Sequence, residues 1–312
     1  MDLRDVLRLP PGAPVDLSAI DAGSTPGLPD DRKVREHPKR WARADLAAVA
    51  EDLASLQERL YATAKVGAGD RRLLMVLQAM DCGGKDGTIK KVAGVMNPEG
   101  LRVVAFGTPT PEELSHDFLW RIRRALPEKG YIGVFNRSHY EDVLIARVHN
   151  LVPERVWQHR YARINEFERE LVDSGCVLLK IMLHISYQEQ RRRLLARLDD
   201  PTKHWKYNPA DIDERAYWSD YQTAYADALS RCGTDVAPWF VVPADHKWYR
   251  NWAVSHLLRA TLADLGLRYP PAEFDVEVER ARLLGDARPG APAGSRRAED
   301  EQAEHEHQVN VR

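Results

Sequence analysis

The segment MDCGGKDG, residues 80–87, sets three glycines, a lysine and two aspartates into eight positions. A phosphate site needs small residues whose backbone N–H groups can converge on oxygens, a helix N-terminus with its partial positive charge, and a lysine to bridge the phosphates. Gly83, Gly84, Lys85 and Gly87 meet these needs, and Asp86 and Thr88 complete the candidate phosphate-binding set. The standard pattern G-x-x-x-x-G-K-[ST] nevertheless fails twice: Ala79 stands where the first glycine belongs, and Asp86 replaces the hydroxyl residue that holds magnesium. Asp81, inside the loop, can bring its own carboxylate to a metal ion.

A second departure complements the first. In YIGVFNRSHYEDVL, Asn136 and Arg137 occupy the place where a phosphate-loop enzyme keeps a metal-holding aspartate. Metal duty then moves to Asp81, and Arg137 becomes a cation that can grip two oxygens of a transferred phosphoryl group. Asp81, Lys85, Asn136 and Arg137 are therefore the candidate catalytic residues. Asp142 or Glu141 supports the metal shell, pairs with Arg137, or is simply an acid at a helix N-terminus. His139 orients its neighbours, since phosphoryl transfer needs no covalent histidine. The bland alternative for the whole set is a glycine turn with a surface lysine and an ordinary Asn–Arg pair.

The third element is cationic. EQRRRLLARLDDPTKHWKYNPADIDER carries Arg191, Arg192, Arg193, Arg197, Lys203, Lys206 and Arg215, broken by Pro201 and Pro209 and interleaved with Trp205 and Tyr207. A helical hairpin that closes over a phosphate site and excludes water has this composition, with a lid over about 186–216. A solvated face paired with Asp199, Asp200, Asp211 and Asp213 has it too. Arg121, Arg123 and Arg124 in HDFLWRIRRALPEKG extend the positive residues, so that a long anion could follow a basic track.

These residues need a scaffold. The apolar blocks at 73–79, 101–106, 131–135, 177–183 and 238–243 are short and rich in branched residues, as buried parallel strands are. Between them lie helical stretches. Leu46, Val49, Leu53, Leu56 and Leu60 make one stripe ahead of the first strand, and Ser186 with Glu189 offers a capping box after the fourth. Repeated strand-then-helix order predicts an α/β fold on a parallel sheet, with ligands at the carboxyl ends of the strands.

With 312 residues, 44% of them apolar and 29% charged, the chain suffices for one large domain. We expect it to span 31–284, preceded by an extended arm at 1–30, punctuated by Pro and Gly, that drapes over the body, and followed by a disordered tail at 285–312 containing His305 and His307. A net charge of −2 gives no global excess to attract nucleic acid or an anionic membrane. No apolar run has membrane-spanning length, and Cys82, Cys176 and Cys232 lack metal-site spacing. The expectation is a cytoplasmic protein with neither nucleic acid nor membrane as partner.

In order along the chain, QAMDCGGKDG, GTPTPEELSHDFLWRIRRALP, FNRSHYEDVL, DDPTKHWKYNPADIDER and APWFVVPADHKWYRNWAV closely resemble blocks of the polyphosphate kinase 2 family, over about residues 30–270. The resemblance implies a three-layer P-loop kinase-like fold with a five-stranded parallel sheet and a helical lid. It also implies magnesium-dependent phosphoryl transfer between inorganic polyphosphate and nucleotides, with manganese able to substitute. AMP, ADP and ATP are the nucleotides, GMP and GDP further candidates, and assembly is into homodimers or homotetramers. The family's loop aspartate and lysine match Asp81 and Lys85, its Asn-Arg matches Asn136 and Arg137, and its lid arginines fall on Arg192, Arg193 and Arg197. Arg121, Arg124, Lys203 and Lys206 join the candidate phosphate-binding residues. The QAMD form with NRSHYEDVL is similar to the class III subgroup, which phosphorylates nucleoside mono- and diphosphates; Cys82 and Gly83 depart from its usual Ala-Ala. The rival readings are an ATP-dependent nucleoside monophosphate kinase, similar to thymidylate kinases, and a non-catalytic polyphosphate-binding protein.

Overall fold

Five apolar blocks become five parallel strands in the computed structural model, which describes residues 2–285: β1 (Arg72–Ala79), β2 (Leu101–Ala105), β3 (Ile132–Asn136), β4 (Cys176–His184) and β5 (Trp239–Pro243). Each boundary lies within one residue of the sequence expectation. The order is β2-β3-β1-β4-β5, with β1 in the centre. It pairs with β3 through Leu77 opposite Asn136 and with β4 through Ala79 opposite Leu183. Side chains alternate along a strand, so Leu74 and Val76 enter one core while Leu73, Met75 and Leu77 enter the other. Helices Glu154–Asp173 and Trp218–Arg231 cover the first face. Helices Pro38–Lys65 and Lys247–Ala263 cover the second, where Val49, Leu53 and Leu60 of the expected stripe are buried. The result is three layers.

The amino-terminal arm does more than drape. Leu3 and Leu7 of the short helix Leu3–Leu7 enter one core and Leu17 the other. Arg8 makes an antiparallel bridge to Phe240 on the edge strand β5, and the Leu9 N–H donates to the Trp239 carbonyl at 2.9 Å. Apolar side chains at 3, 7 and 17 outweigh the Pro and Gly punctuation between them. Residues 1–270 form one compact unit. The second, from Pro271 onward, contains helix Val276–Gly285, and most of the tail expected at 285–312, including both of its histidines, lies outside the described residues.

The segment expected as a lid, about 186–216, departs from a simple hairpin. Helix Tyr187–Leu198 is regular, but Pro201 and Pro209 break the chain after it into the 3₁₀ turn Pro201–Lys206, the single turn Ala210–Glu214 and a further 3₁₀ turn, Arg215–Tyr217. Half of the expected capping box forms. Ser186 accepts from the Glu189 N–H at 3.1 Å, while the Glu189 carboxylate turns away to Arg192 and Arg193.

Beneath the sheet's carboxyl end lies a buried ionic network. Lys180 of β4 donates to Glu168 (2.6 Å), to the Tyr140 hydroxyl (3.0 Å) and to the Cys232 carbonyl (2.6 Å), and Glu168 also meets His139 (3.2 Å) and the Tyr140 hydroxyl (2.7 Å). Burial raises the Glu168 carboxyl, but Lys180 and His139 outweigh it and hold the group below its ordinary value. The network clamps the turn His139–Asp142, which comes after Arg137 and carries Glu141, to the strand below it. Removing one partner of a buried pair strands the other charge, whereas removing both together costs far less. Lys180→Met should therefore lower unfolding free energy by about 3 kcal/mol or more, and the double change Lys180→Met/Glu168→Leu should recover part of the loss; urea unfolding measures both.

Candidate active site

The loop is built where β1 ends. Cys82 adopts φ +60° and Gly84 φ +106°, after which helix Lys85–Val92 begins with Gly84 as its N-cap. Glycine is required at two of these positions. A Cβ on Gly83 would lie 2.5 Å from that of Ala79, and one on Gly84 would lie 1.8 Å from the Arg250 guanidinium. Arg137, one residue past β3, has φ +64°, and its N–H donates to the Leu77 carbonyl at 3.1 Å. Positive φ at two non-glycine residues costs of order 1–3 kcal/mol each and persists where the surroundings enforce it. Here the enforced geometry brings Arg137 to Asp81, Nη2 to Oδ1 at 2.9 Å. Both side chains are about one-third exposed, so this ion pair contributes under about 1 kcal/mol and a ligand can displace it.

Lys85 is buried and folds back so that Nζ donates to the Ala79 carbonyl at 2.8 Å. Burial, with Arg137 beside it, pulls its ammonium below the ordinary lysine value, against Asp81, Glu141 and Asp86. Asn136 donates to Asp86 at 2.9 Å and thereby ties β3 to the loop helix. The Lys206 ammonium lies 3.7 Å from the same carboxylate. The Thr88 hydroxyl is buried and without a hydrogen-bond partner.

Glu141, and not Asp142, is the second acid at the loop. Asp142 pairs with Arg160 at 3.1 Å and so faces helix Glu154–Asp173. Glu141 lines a cleft of about 200 Å³ with Asp81, Arg137, Asp211, Glu214 and Tyr221. Burial pushes its carboxyl up, which Arg137 and Lys85 only partly offset. In the orientation that satisfies its amide, Gln78 accepts from the Ser138 N–H and donates to Glu141 at 3.1 Å. Among the described residues no group of three or more metal-binding side chains converges; of the carboxylates that line the cleft, Asp81 and Glu141 are the two beside Arg137 and Lys85. Two carboxylates completed by phosphate oxygens and water suit magnesium, which seldom takes an all-protein cage.

The expected arginines divide. Arg193 is buried and donates to the carbonyls of Cys82 (2.9 Å), Gly83 (3.2 Å) and Asp245 (3.0 Å), so it braces the loop from behind instead of facing a ligand. Gln190, one turn earlier, donates to the Asp81 carbonyl at 3.0 Å. Arg197 reaches the Lys206 carbonyl (2.9 Å) and Asp211 (3.3 Å), Lys203 pairs with Asp200, and Arg192 is exposed beside Glu189. Arg121 is buried against the Gly107 carbonyl, Arg123 pairs with Glu170, and Arg124 stacks over Trp120. Arg121 and Arg123 are thus engaged by the protein, whereas Arg124 is exposed and has no ion-pair partner among the described residues, so the expected track is reduced there to Arg124.

A free cationic groove lies elsewhere. Lys39, Arg43, Lys91, Arg192 and Lys247 line a cavity of about 780 Å³ between helices Pro38–Lys65 and Lys247–Ala263. Of these, only Arg192 has an ion-pair partner among the described residues. Burial, with Arg193, Arg192 and Arg250 nearby, pulls the Lys247 ammonium down. Sequence reading named Arg192 but missed the groove, because Lys39, Arg43, Lys91 and Lys247 come from distant segments. It left Asp142 and Glu141 as alternatives because adjacent acids on a turn point in different directions.

Comparison with known proteins gives the family. The family model described as Polyphosphate kinase 2 (PPK2) matches residues 37–267. The chain is 51% identical over 245 residues, 78% of its length and 90% of the relative's, to the AMP/ADP-polyphosphate phosphotransferase of Meiothermus ruber. It is 41% identical over 264 residues, 80% and 88% of the two lengths, to the ADP-polyphosphate phosphotransferase of Rhodopseudomonas palustris. The crystal structure of polyphosphate kinase 2 from Arthrobacter aurescens TC1 superposes with a TM-score of 0.86 at 47% identity, covering 92% of this chain and 98% of that one. With a parallel five-stranded sheet, a superposable solved structure and a family model spanning most of its length, the chain has a P-loop kinase-like fold and belongs to the polyphosphate kinase 2 family.

Proposed function

We propose that this protein transfers phosphoryl groups between inorganic polyphosphate and nucleotides, with AMP and ADP as acceptors and magnesium as the required ion. The observation that carries the reading is the division of charge around one loop. On one side stands the acidic cleft of Asp81, Glu141, Asp211 and Glu214, and on the other the groove of Lys39, Arg43, Lys91 and Lys247. A long polyanion fits the second, and a phosphate whose charge is masked by a cation fits the first. Polyphosphate lies along the groove with its end at the loop, and the nucleotide phosphate enters the cleft. The acceptors in the names of the Meiothermus ruber and Rhodopseudomonas palustris relatives support AMP and ADP here.

Little covalent chemistry is asked of the protein in such a transfer; alignment and charge neutralisation carry it. Arg137 leaves Asp81 to hold equatorial oxygens of the moving group, and Lys85, released from the Ala79 carbonyl, adds a second positive charge. Asp81 and Glu141 would hold the magnesium ion, which would supply positive charge against the repulsion between phosphates. Gln190 and Arg193 keep the loop backbone in place, and the turns between Pro201 and Tyr217 cover the cleft and exclude water.

Purified protein mixed with magnesium, long-chain polyphosphate and AMP, without ATP, should yield ADP and then ATP; phosphate transfer with ATP as the only usable donor would instead establish an ordinary nucleotide kinase. Lys85→Ala and Asp81→Ala should each lower kcat by at least about 10³-fold while circular dichroism stays that of a folded protein. Arg137→Lys, which keeps charge but loses the two-pronged grip, should lose at least about tenfold in kcat/KM. Glu141→Gln should also inactivate, yet raise the unfolding temperature of the ligand-free protein near neutral pH. A carboxyl whose folded pKa is raised destabilises the fold where it is ionised, so the gain should be full above that folded pKa and vanish as pH falls to ordinary carboxylate values. Calorimetry across this pH range reads it.

A further inference from the structure

Arg250, on helix Lys247–Ala263, is 3% exposed and lies directly against the loop. A Cβ built on Gly84 would come within 1.8 Å of its Nη1, and one on Gly87 within 3.0 Å of its Nη2. The turn that two glycines make possible is therefore in contact with a guanidinium along its inner side. The hydrogen-bond acceptor of that guanidinium is the Asn251 side-chain oxygen, at 2.8 and 3.2 Å. Among the described residues no carboxylate lies within ion-pair distance of it.

The charges around it are positive. Arg193 faces it from helix Tyr187–Leu198, and Lys247 lies one turn earlier on its own helix. Glu189 is engaged by Arg192 and Arg193, and the loop helix presents the backbone of Gly84 and Gly87 on this side. Burial and Arg193 together pull Arg250 down to about 10. An ion in the interior without a partner costs several kcal/mol, and apolar replacement of buried ions is often neutral or stabilising. A cation kept in that position disfavours the empty loop, and its field is weakly screened by the surrounding protein.

We propose that Arg250 is a positioning residue acting through the loop: its buried, unpaired charge keeps the phosphate-binding turn at positive potential, and the bound phosphate is its counter-ion. Arg250 is not among the residues that line the groove or the cleft, which accords with an action through the loop backbone. Gly84 and Gly87 then have a second function, which is to let this charge approach the loop backbone. The inference rests on the reading of the loop as the phosphate site.

Tripolyphosphate, titrated into the full-length protein at fixed magnesium, is the probe. Arg250→Met should bind it at least about tenfold more weakly while its unfolding temperature without ligand is unchanged or higher. Arg250→Lys should restore most of the affinity at neutral pH, and the ratio of its Kd to that of the wild type should climb as pH rises, because a lysine buried among these cations loses its proton early. Equal affinity in Arg250→Met overturns the inference. So does an Arg250→Lys protein that binds as weakly as Arg250→Met at every pH, since that marks a packing role for the guanidinium. Failure of the wild type to bind tripolyphosphate removes the loop assignment itself, and this inference with it.

Discussion

One backbone hydrogen bond, from the Arg137 N–H to the Leu77 carbonyl, fixes the geometry on which the site depends. It extends the parallel pairing of β1 and β3 by one residue and holds Arg137 at a positive φ that its side chain alone would not favour. From that position the guanidinium faces Asp81 across the first turn of the loop. A slip of one residue in this pairing would send Arg137 to the opposite face of the sheet and leave the loop with a carboxylate and no facing cation. The ionic network of Lys180, Glu168, His139 and Tyr140 resists such a slip, since it anchors the residues just after Arg137 to β4.

Around this junction the protein separates charges that would otherwise neutralise each other. Carboxylates gather beside β3 and the broken half of the lid, while lysines without partners among the described residues gather between two helices on the other side of the loop. Keeping the two sets apart leaves both sides of the loop in electrostatic tension while the site is empty. Burial pushes Glu141 up and Lys85 down, each away from its charged form. On the function proposed above, a bound phosphate and its cation would relieve both at once, so that each would support the binding of the other.

The sheet was legible because buried parallel strands are read from composition and length, and all five lie within a residue of where the apolar blocks end. The loop and the Asn136–Arg137 pair were legible for a related reason: local spacing and the ends of strands specify them. Side-chain direction was not. Asp142 and Glu141 are adjacent in sequence, yet Asp142 pairs with Arg160 while Glu141 lines the cleft with Arg137. Arg193 reads as a lid cation but turns inward to four backbone carbonyls, because Glu189 draws it toward the root of its helix. The arm shows the limit of punctuation as a guide, since three leucines spaced across a Pro- and Gly-rich stretch suffice to dock it.

That docked arm has a consequence for the sheet as a whole. A five-stranded open sheet has two borders, each a row of backbone groups on which a foreign strand could add itself. Here β5 is closed by the chain's own beginning, through the Arg8–Phe240 bridge and the Leu9–Trp239 bond. Polymerisation through strand addition is thereby confined to the opposite border, where β2 offers only five residues, Leu101–Ala105. The arm that docks on the two cores thus also covers the border along which neighbours could join edge to edge.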